Sequence, residues 1–418
     1  MSFNPFCEKP KKLDSIFMDW KELAPKPYDK NEVDPYTKAR IILMNGTEFE
    51  AVQCGHQTQR KICDNDLRRE MAIVRKSEQM QQKKLSSLKP IDETQLEQTI
   101  AYEQLAVDLT AFMAQRSKDK NAKAALDFAL LEDFDHLYRY ADLLENDSDI
   151  HAERLVGKYT EIMPGRPTIA HHRAPADEIK HYINSKKTDF ATMLDTHIIT
   201  AAEQQTMNYY MNLGCFYHND YGRKLYTEIG MVEEQHVTQY GSLIDPNATP
   251  LECMLMHEYV ECYLYYSMYE DETDNHIRQV WERCLEQEIV HLHKANELLK
   301  KYENKDWQCV LPQGEFPDLI KLHSNINYVR KVLAKTVNNT ANREGYIDVC
   351  DLPDNADFFK YQQKVNTKKP DNVMSHKFIQ DYMDKNGKDY RFEVKENPIS
   401  ALRDRQNDNY TVGRCCQN

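Results

Sequence analysis

The chain has 418 residues, of which 29% are charged and 41% hydrophobic, with a formal net charge of -13. It is long for one ordinary domain and has enough apolar material for a core, while the acidic balance gives no electrostatic reason to expect nucleic acid or an anionic membrane as a partner. With no run near the roughly 20 apolar residues of a membrane span and no secretory core at the N-terminus, the expected setting is cytoplasmic.

Residues 1–61 carry the Pro and Gly signals KPKK, APKPY, VDPY and MNGTE without sustained periodicity, and read as an N-terminal arm wrapping the core. Helix-forming segments follow at 62–88, 95–116, 122–145, 149–161, 177–213, 220–242, 250–270 and 275–302, so 62–303 reads as a helical domain. The basic residues between Arg68 and Lys84 alternate with Glu and Gln and read as a solvated helix face. The segment MPGRPTIAHHRAPAD, from Met163 to Asp177, has three prolines, continues neither neighbouring helix, and is the natural crossover; its His171, His172 and Arg173 read as surface loop. Residues 304–418 turn polar, with one helix expected at 317–336, and read as a C-terminal extension. Cysteines from Cys7 to Cys350 are scattered singly and are expected as reduced thiols, the adjacent Cys415 and Cys416 lie in a polar tail, and no C-x-x-C pair exists.

The strongest signal is an internal repeat. Glu203, Glu233 and His236 recur as Glu258, Glu288 and His291, each displaced by 55 residues, with internal spacings of 30 and 3 in both sets. Glu103, Asp133 and His136 repeat the same spacing. Two antiparallel helices joined by a short turn bring residues about thirty apart to one level, roughly 20 Å from the turn. The carboxylate and imidazole at i and i+3 share a helix face with Cβ atoms about 5–6 Å apart, so one metal ion can be gripped by both. Two facing hairpins give four carboxylates and two imidazoles, a set suited to a dinuclear iron or manganese centre. Carboxylates on an apolar helix face, as at Glu203, also cost several kcal/mol each to desolvate without a compensating cation.

This pattern resembles the ferritin-like superfamily of dinuclear iron and manganese carboxylate proteins. The resemblance implies an all-α fold: a four-helix bundle with an additional helical hairpin and extended terminal segments. It implies Glu203 and Glu258 as single-helix ligands, Glu233 with His236 and Glu288 with His291 as paired ligands, and Glu233 and Glu288 as bridges. Glu103, Asp133 and His136 form a third set that the family pattern does not require. Pairing the 203–236 and 258–291 hairpins needs a link from Tyr240 to Pro250 that reaches at most roughly 33 Å; pairing the 103–136 and 203–236 hairpins uses the long proline-bearing link and leaves the last hairpin outside. The implied cofactor is two iron ions, or two manganese or a mixed pair, and the implied function an oxidoreductase acting with dioxygen or peroxide. A small-molecule substrate, a separate reductase and a homo-oligomer accompany that expectation. Iron storage or ferroxidase activity and a metal-free helical scaffold are the competing readings. Tyr209, Tyr210, Tyr259, Tyr263, Tyr265 and Tyr266 read as core packing.

Overall fold

A computed structural model describes residues 3–163, 165, 170–366, 373–387, 391, 397 and 399–402. The fold is all-α apart from one short antiparallel hairpin. In chain order the helices are α1 (Pro35–Gln59), α2 (Asn65–Ser86), α3 (Gln95–Arg116), α4 (Lys120–Ser148), α5 (Glu153–Val156), α6 (Phe190–Phe216), α7 (Asp220–Leu243), α8 (Pro250–Asp271), α9 (Asn275–Glu303), α10 (Ile326–Thr336), α11 (Asp357–Val365) and α12 (Met374–Asn386). Strands β1 (Asn339–Asn342) and β2 (Gly345–Asp348) pair between α10 and α11. No helix among the described residues is long and apolar enough to cross a membrane.

The chain folds into two compact units that interleave in sequence. Unit one takes the chain up to Thr94, then Asn184–Ala202 and Asp245–Leu322; unit two takes Gln95–Ile183, Glu203–Ile244 and the chain from His323. The division falls inside α6, just before Glu203.

In unit one, α1 packs on α2 and α8, and α9 packs on α8 and α2. The expectation of an extended arm over residues 1–61 is therefore corrected from Pro35 onward. Pro35 sits at the first helical position, where its missing N–H is no loss, and the Asp34 carboxylate accepts from Tyr36 N at 2.9 Å. The Asn45-Gly46 pair that suggested a turn lies mid-helix, with Ile41 to Met44 and Thr47 buried around it. That burial outweighs the roughly 1 kcal/mol cost of an internal glycine. One end of α1 is fixed by Arg40, which donates to Asp271 (2.9 Å) and Glu272 (3.3 Å), and Glu272 also accepts from Thr37 and Trp281. α8 begins with a reciprocal cap between Thr249 and Glu252 behind Pro250.

In unit two, α3 packs on α4 and α4 on α7, with α10 and α12 against α4. Close approach of α6 to α7 depends on Gly214, where a Cβ would stand 2.9 Å from Thr227 Oγ1. Three predicted helices are shorter than expected, the last being 317–336, which is helical only over Ile326–Thr336. Only Glu153–Val156 is α-helical within 149–161, and 177–213 becomes a 3-10 turn at Pro175–Glu178, an irregular stretch, and α6 from Phe190. Turn chemistry decides the second case: Asn184 and Asp189 accept from backbone N–H groups two and three residues on, so helix starts only after Asp189. Residues 164 and 166–169 of the crossover segment, and the pair Cys415 and Cys416, lie outside the described residues. Cys350 is disulfide-bonded, which corrects the expectation of reduced thiols there, because distance in sequence says nothing about proximity in space; Cys7, Cys54, Cys63, Cys215, Cys253, Cys262, Cys284 and Cys309 are free.

Candidate metal centres

The structure places the three sequence-derived sets in two different units. Glu103 (α3), Asp133 and His136 (α4), Glu203 (α6), and Glu233 and His236 (α7) converge in unit two, each at most 2% exposed. Ligand atoms of Asp133, Glu203, Glu233 and His236 all lie within 4.8 Å of one another, and so do those of Glu103, His136 and Glu233. Glu233 belongs to both groups. Its Oε1 is 2.8 Å from His136 Nδ1 and its Oε2 is 3.1 Å from His236 Nδ1. His236 Nδ1 also faces Asp133 Oδ1 at 3.4 Å and Glu203 Oε2 at 3.7 Å.

Glu258 (α8) and Glu288 with His291 (α9) lie in unit one, so the pairing of the 203–236 hairpin with the 258–291 hairpin is corrected. Their partner is Glu78 on α2: His291 Nδ1 stands 2.7 Å from Glu78 Oε1, 3.1 Å from Glu288 Oε2 and 3.7 Å from Glu258 Oε2. The third hairpin is not packed outside a single site; each hairpin of the repeat faces another. Sequence reasoning missed Glu78, although the signal was present. Glu48, Glu78 and Gln81 keep the spacings 30 and 3 and precede Glu103, Asp133 and His136 by 55 residues. Gln81 in place of histidine, and the assignment of Glu48 to an arm, hid this fourth copy. Of the neighbouring acidic and histidine residues that a one-turn helix rotation would bring in, Glu261 is buried beside Glu78, while Glu234 is exposed, Glu286 half-buried and His293 turned to the Pro5 carbonyl.

Both clusters are rich in buried oxygens that lack partners. Glu103 Oε2, Asp133 Oδ1, Glu203 Oε1 and Oε2, and Glu233 Oε2 make no hydrogen bond among the described residues, although imidazole nitrogens stand within ion-pair distance of several of them. Such groups cost several kcal/mol each unless a cation compensates them. Burial drives the Glu103 and Asp133 carboxyls well above the usual carboxylate range, and burial together with the charge of Glu233 lifts Glu203 to about 7. Burial also works against ionised Glu233, but His136 and His236 outweigh it and hold that carboxyl well below its ordinary value. Burial opposes the charged His236 imidazole, yet Asp133, Glu203 and Glu233 raise it overall.

A pH effect follows for the metal-free protein. Glu203 ionises near 4.5 in the unfolded chain and near 7 when folded, so its contribution to stability is full below the first value and lost as pH rises through the second. Thermal melts in chelator are expected to fall over that window for the wild type, and less for Glu203→Gln; equal slopes would show that Glu203 is ionised in the folded state throughout.

No protein-family model, curated protein or solved structure matches the chain. The site is therefore read from its own chemistry.

The shell around the unit-two cluster is specific. His236 Nε2 is 2.7 Å from Glu132 Oε2, and a carboxylate there accepts, so Nε2 carries a proton and Nδ1 is the nitrogen that faces the cluster, where a bound cation would displace its proton. Arg173, fully buried, pairs with both Glu132 and Glu178, and its N–H donates to Gln235 Oε1 at 2.8 Å. The surface-loop reading of 171–173 is thereby corrected: His171, His172 and Arg173 are all buried, because Arg173 has two interior carboxylates to neutralise. Tyr210 and Tyr265 are buried in the core as expected, and their phenols also reach the clusters. Tyr210 donates to Glu103 and Tyr265 to Glu48, whereas Tyr259 and Tyr263 donate to backbone carbonyls of residues 314, 315 and 318. Beside this shell lies a cavity of 460 Å³ lined by His172, Arg173, Lys224, Met231, Gln235 and Tyr361, among others.

Proposed function

We propose that unit two holds a dinuclear metal centre of the ferritin-like kind and that the protein is an oxidoreductase acting with dioxygen or peroxide. Glu233 carries the reading: one carboxylate reaches two imidazoles on opposite hairpins, amid three further carboxylates with unpartnered oxygens. The donor set fits two iron ions, with two manganese or a mixed pair as the alternative, because oxygen and imidazole donors without thiolate suit those metals. Glu103 and His136 would hold one ion, Asp133, Glu203 and His236 the other, and Glu233 would serve both.

When bound, such a pair supplies open positions that bind and polarise oxygen species. The protein's part is positioning. Glu132 fixes the His236 tautomer, Arg173 pairs with Glu132 and holds it in place, and Tyr210 orients Glu103. The cavity beside Arg173 and Lys224 has the size of a small-molecule site. Electrons would come from a small-molecule substrate or from a separate reductase.

Elemental mass spectrometry on protein purified without chelators tests this reading. Bound iron or manganese is expected, with at least about a tenfold loss of affinity in unit two for His236→Ala and for His136→Ala. Metal-free wild type, or a metal content unchanged by both variants, would sink the proposal.

A further inference from the structure

Resting on the reading that these buried clusters bind metal, we infer that unit one contains a second dinuclear centre of different chemistry, in which one position is bound by oxygen donors alone. One half of it matches unit two. Glu258, Glu288 and His291 occupy the repeat positions of Glu203, Glu233 and His236, and Glu78 stands where Asp133 stands, with ligand atoms of Glu78, Glu258, Glu288 and His291 within 4.8 Å of one another.

The other half departs from the pattern at two linked positions. Gln81 occupies the place of His136, so the imidazole of that repeat position is missing here; His257, with Nε2 3.6 Å from Glu261 Oε1, stands outside the group formed by Glu48, Glu78 and Glu261. Three residues beyond Glu258, where the other repeats have Ala51, Ala106 and Thr206, the chain carries Glu261. Ligand oxygens of Glu48, Glu78 and Glu261 lie within 4.8 Å of one another, and all three residues are at most 2% exposed. A nitrogen donor has been lost and a carboxylate gained.

Independent observations point to a cation there. Gln81 is fully buried, its amide nitrogen donates to Glu288, and its Oε1 has no partner among the described residues. Glu48 Oε2 and both Glu261 carboxylate oxygens likewise make no hydrogen bond among the described residues, with His257 Nε2 3.6 Å from Glu261 Oε1. Tyr265 donates to Glu48 as Tyr210, 55 residues earlier, donates to Glu103, so the orienting phenol of unit two is repeated here. Three interior carboxylates, with only the imidazoles of His291 and His257 beside them and no lysine or arginine paired to any of them among the described residues, need more positive charge.

The chemistry follows from the donors. Oxygen-only sites take Mg²⁺ or Mn²⁺ and lack the imidazole that draws Zn²⁺. The position bounded by Glu48, Glu78 and Glu261 is therefore expected to prefer Mn²⁺, next to a His291 position that accepts iron or zinc.

The full chain, stripped and then titrated with Mn²⁺ or Zn²⁺ alone, tests this by electron paramagnetic resonance and metal analysis. Glu261→Gln, nearly isosteric, is expected to lower Mn²⁺ affinity in unit one at least about tenfold and leave His236-dependent metal in place. Gln81→His is expected to raise the Zn²⁺-to-Mn²⁺ affinity ratio at least about tenfold. Unchanged Mn²⁺ binding in Glu261→Gln, with metal still lost in His236→Ala, would overturn this inference alone. Wild type that takes up neither ion would overturn the unit-two reading as well.

Discussion

Replacing Glu233 with Gln is expected to empty both positions of the unit-two centre, with affinity falling at least about a hundredfold, because one carboxylate serves both imidazoles. Glu203→Gln should weaken chiefly the ion on the His236 side, since Glu203 shares a ligand group with His236 and not with His136. The two variants also differ without metal. Glu233 is ionised and compensates two buried imidazoles, so its loss should destabilise the metal-free fold, whereas Glu203 is pushed toward its protonated form and its amide should be tolerated. Elemental analysis and urea unfolding in chelator read both effects. If Glu233→Gln retained the wild-type metal content, Glu233 would not be a bridge.

The second large effect belongs to Arg173. Arg173→Ala would leave Glu132 and Glu178 buried without their shared counter-ion, a loss expected to cost about 3–5 kcal/mol in unfolding free energy. It should also remove the pairing that positions Glu132, release the His236 tautomer, and lower affinity at that position about 10–100-fold. Denaturant unfolding in chelator and a metal titration separate the two consequences. A stability change below about 1 kcal/mol would show that Glu132 and Glu178 are not held by this guanidinium.

The extent to which the site could be read from the chain varied by residue. The i, i+3 pairs Asp133/His136, Glu233/His236 and Glu288/His291 were legible because a helix face is a local property, and the structure buries all six. Glu132 was not, because nothing in LLEDFDHL separates a carboxylate that faces the cluster from its neighbour that supports it from behind. Arg173 read as surface loop, because its two interior carboxylates come from residues 41 and 5 positions away. Gln81 was passed over because its role depends on what stands opposite it.

The sequence by itself determined that long helices form, that they pair as hairpins, and that ligands about thirty residues apart come to one level. Each follows from helical rise, capping and short turns, which act over a few residues. Which hairpin faces which was decided only by the tertiary structure. The four copies of the repeat present similar faces, so local spacing allows several pairings. The fold sets the first against the last and the second against the third, and two clusters arise where one was expected. Packing of whole helix faces selects that pairing, and no short stretch of sequence records it.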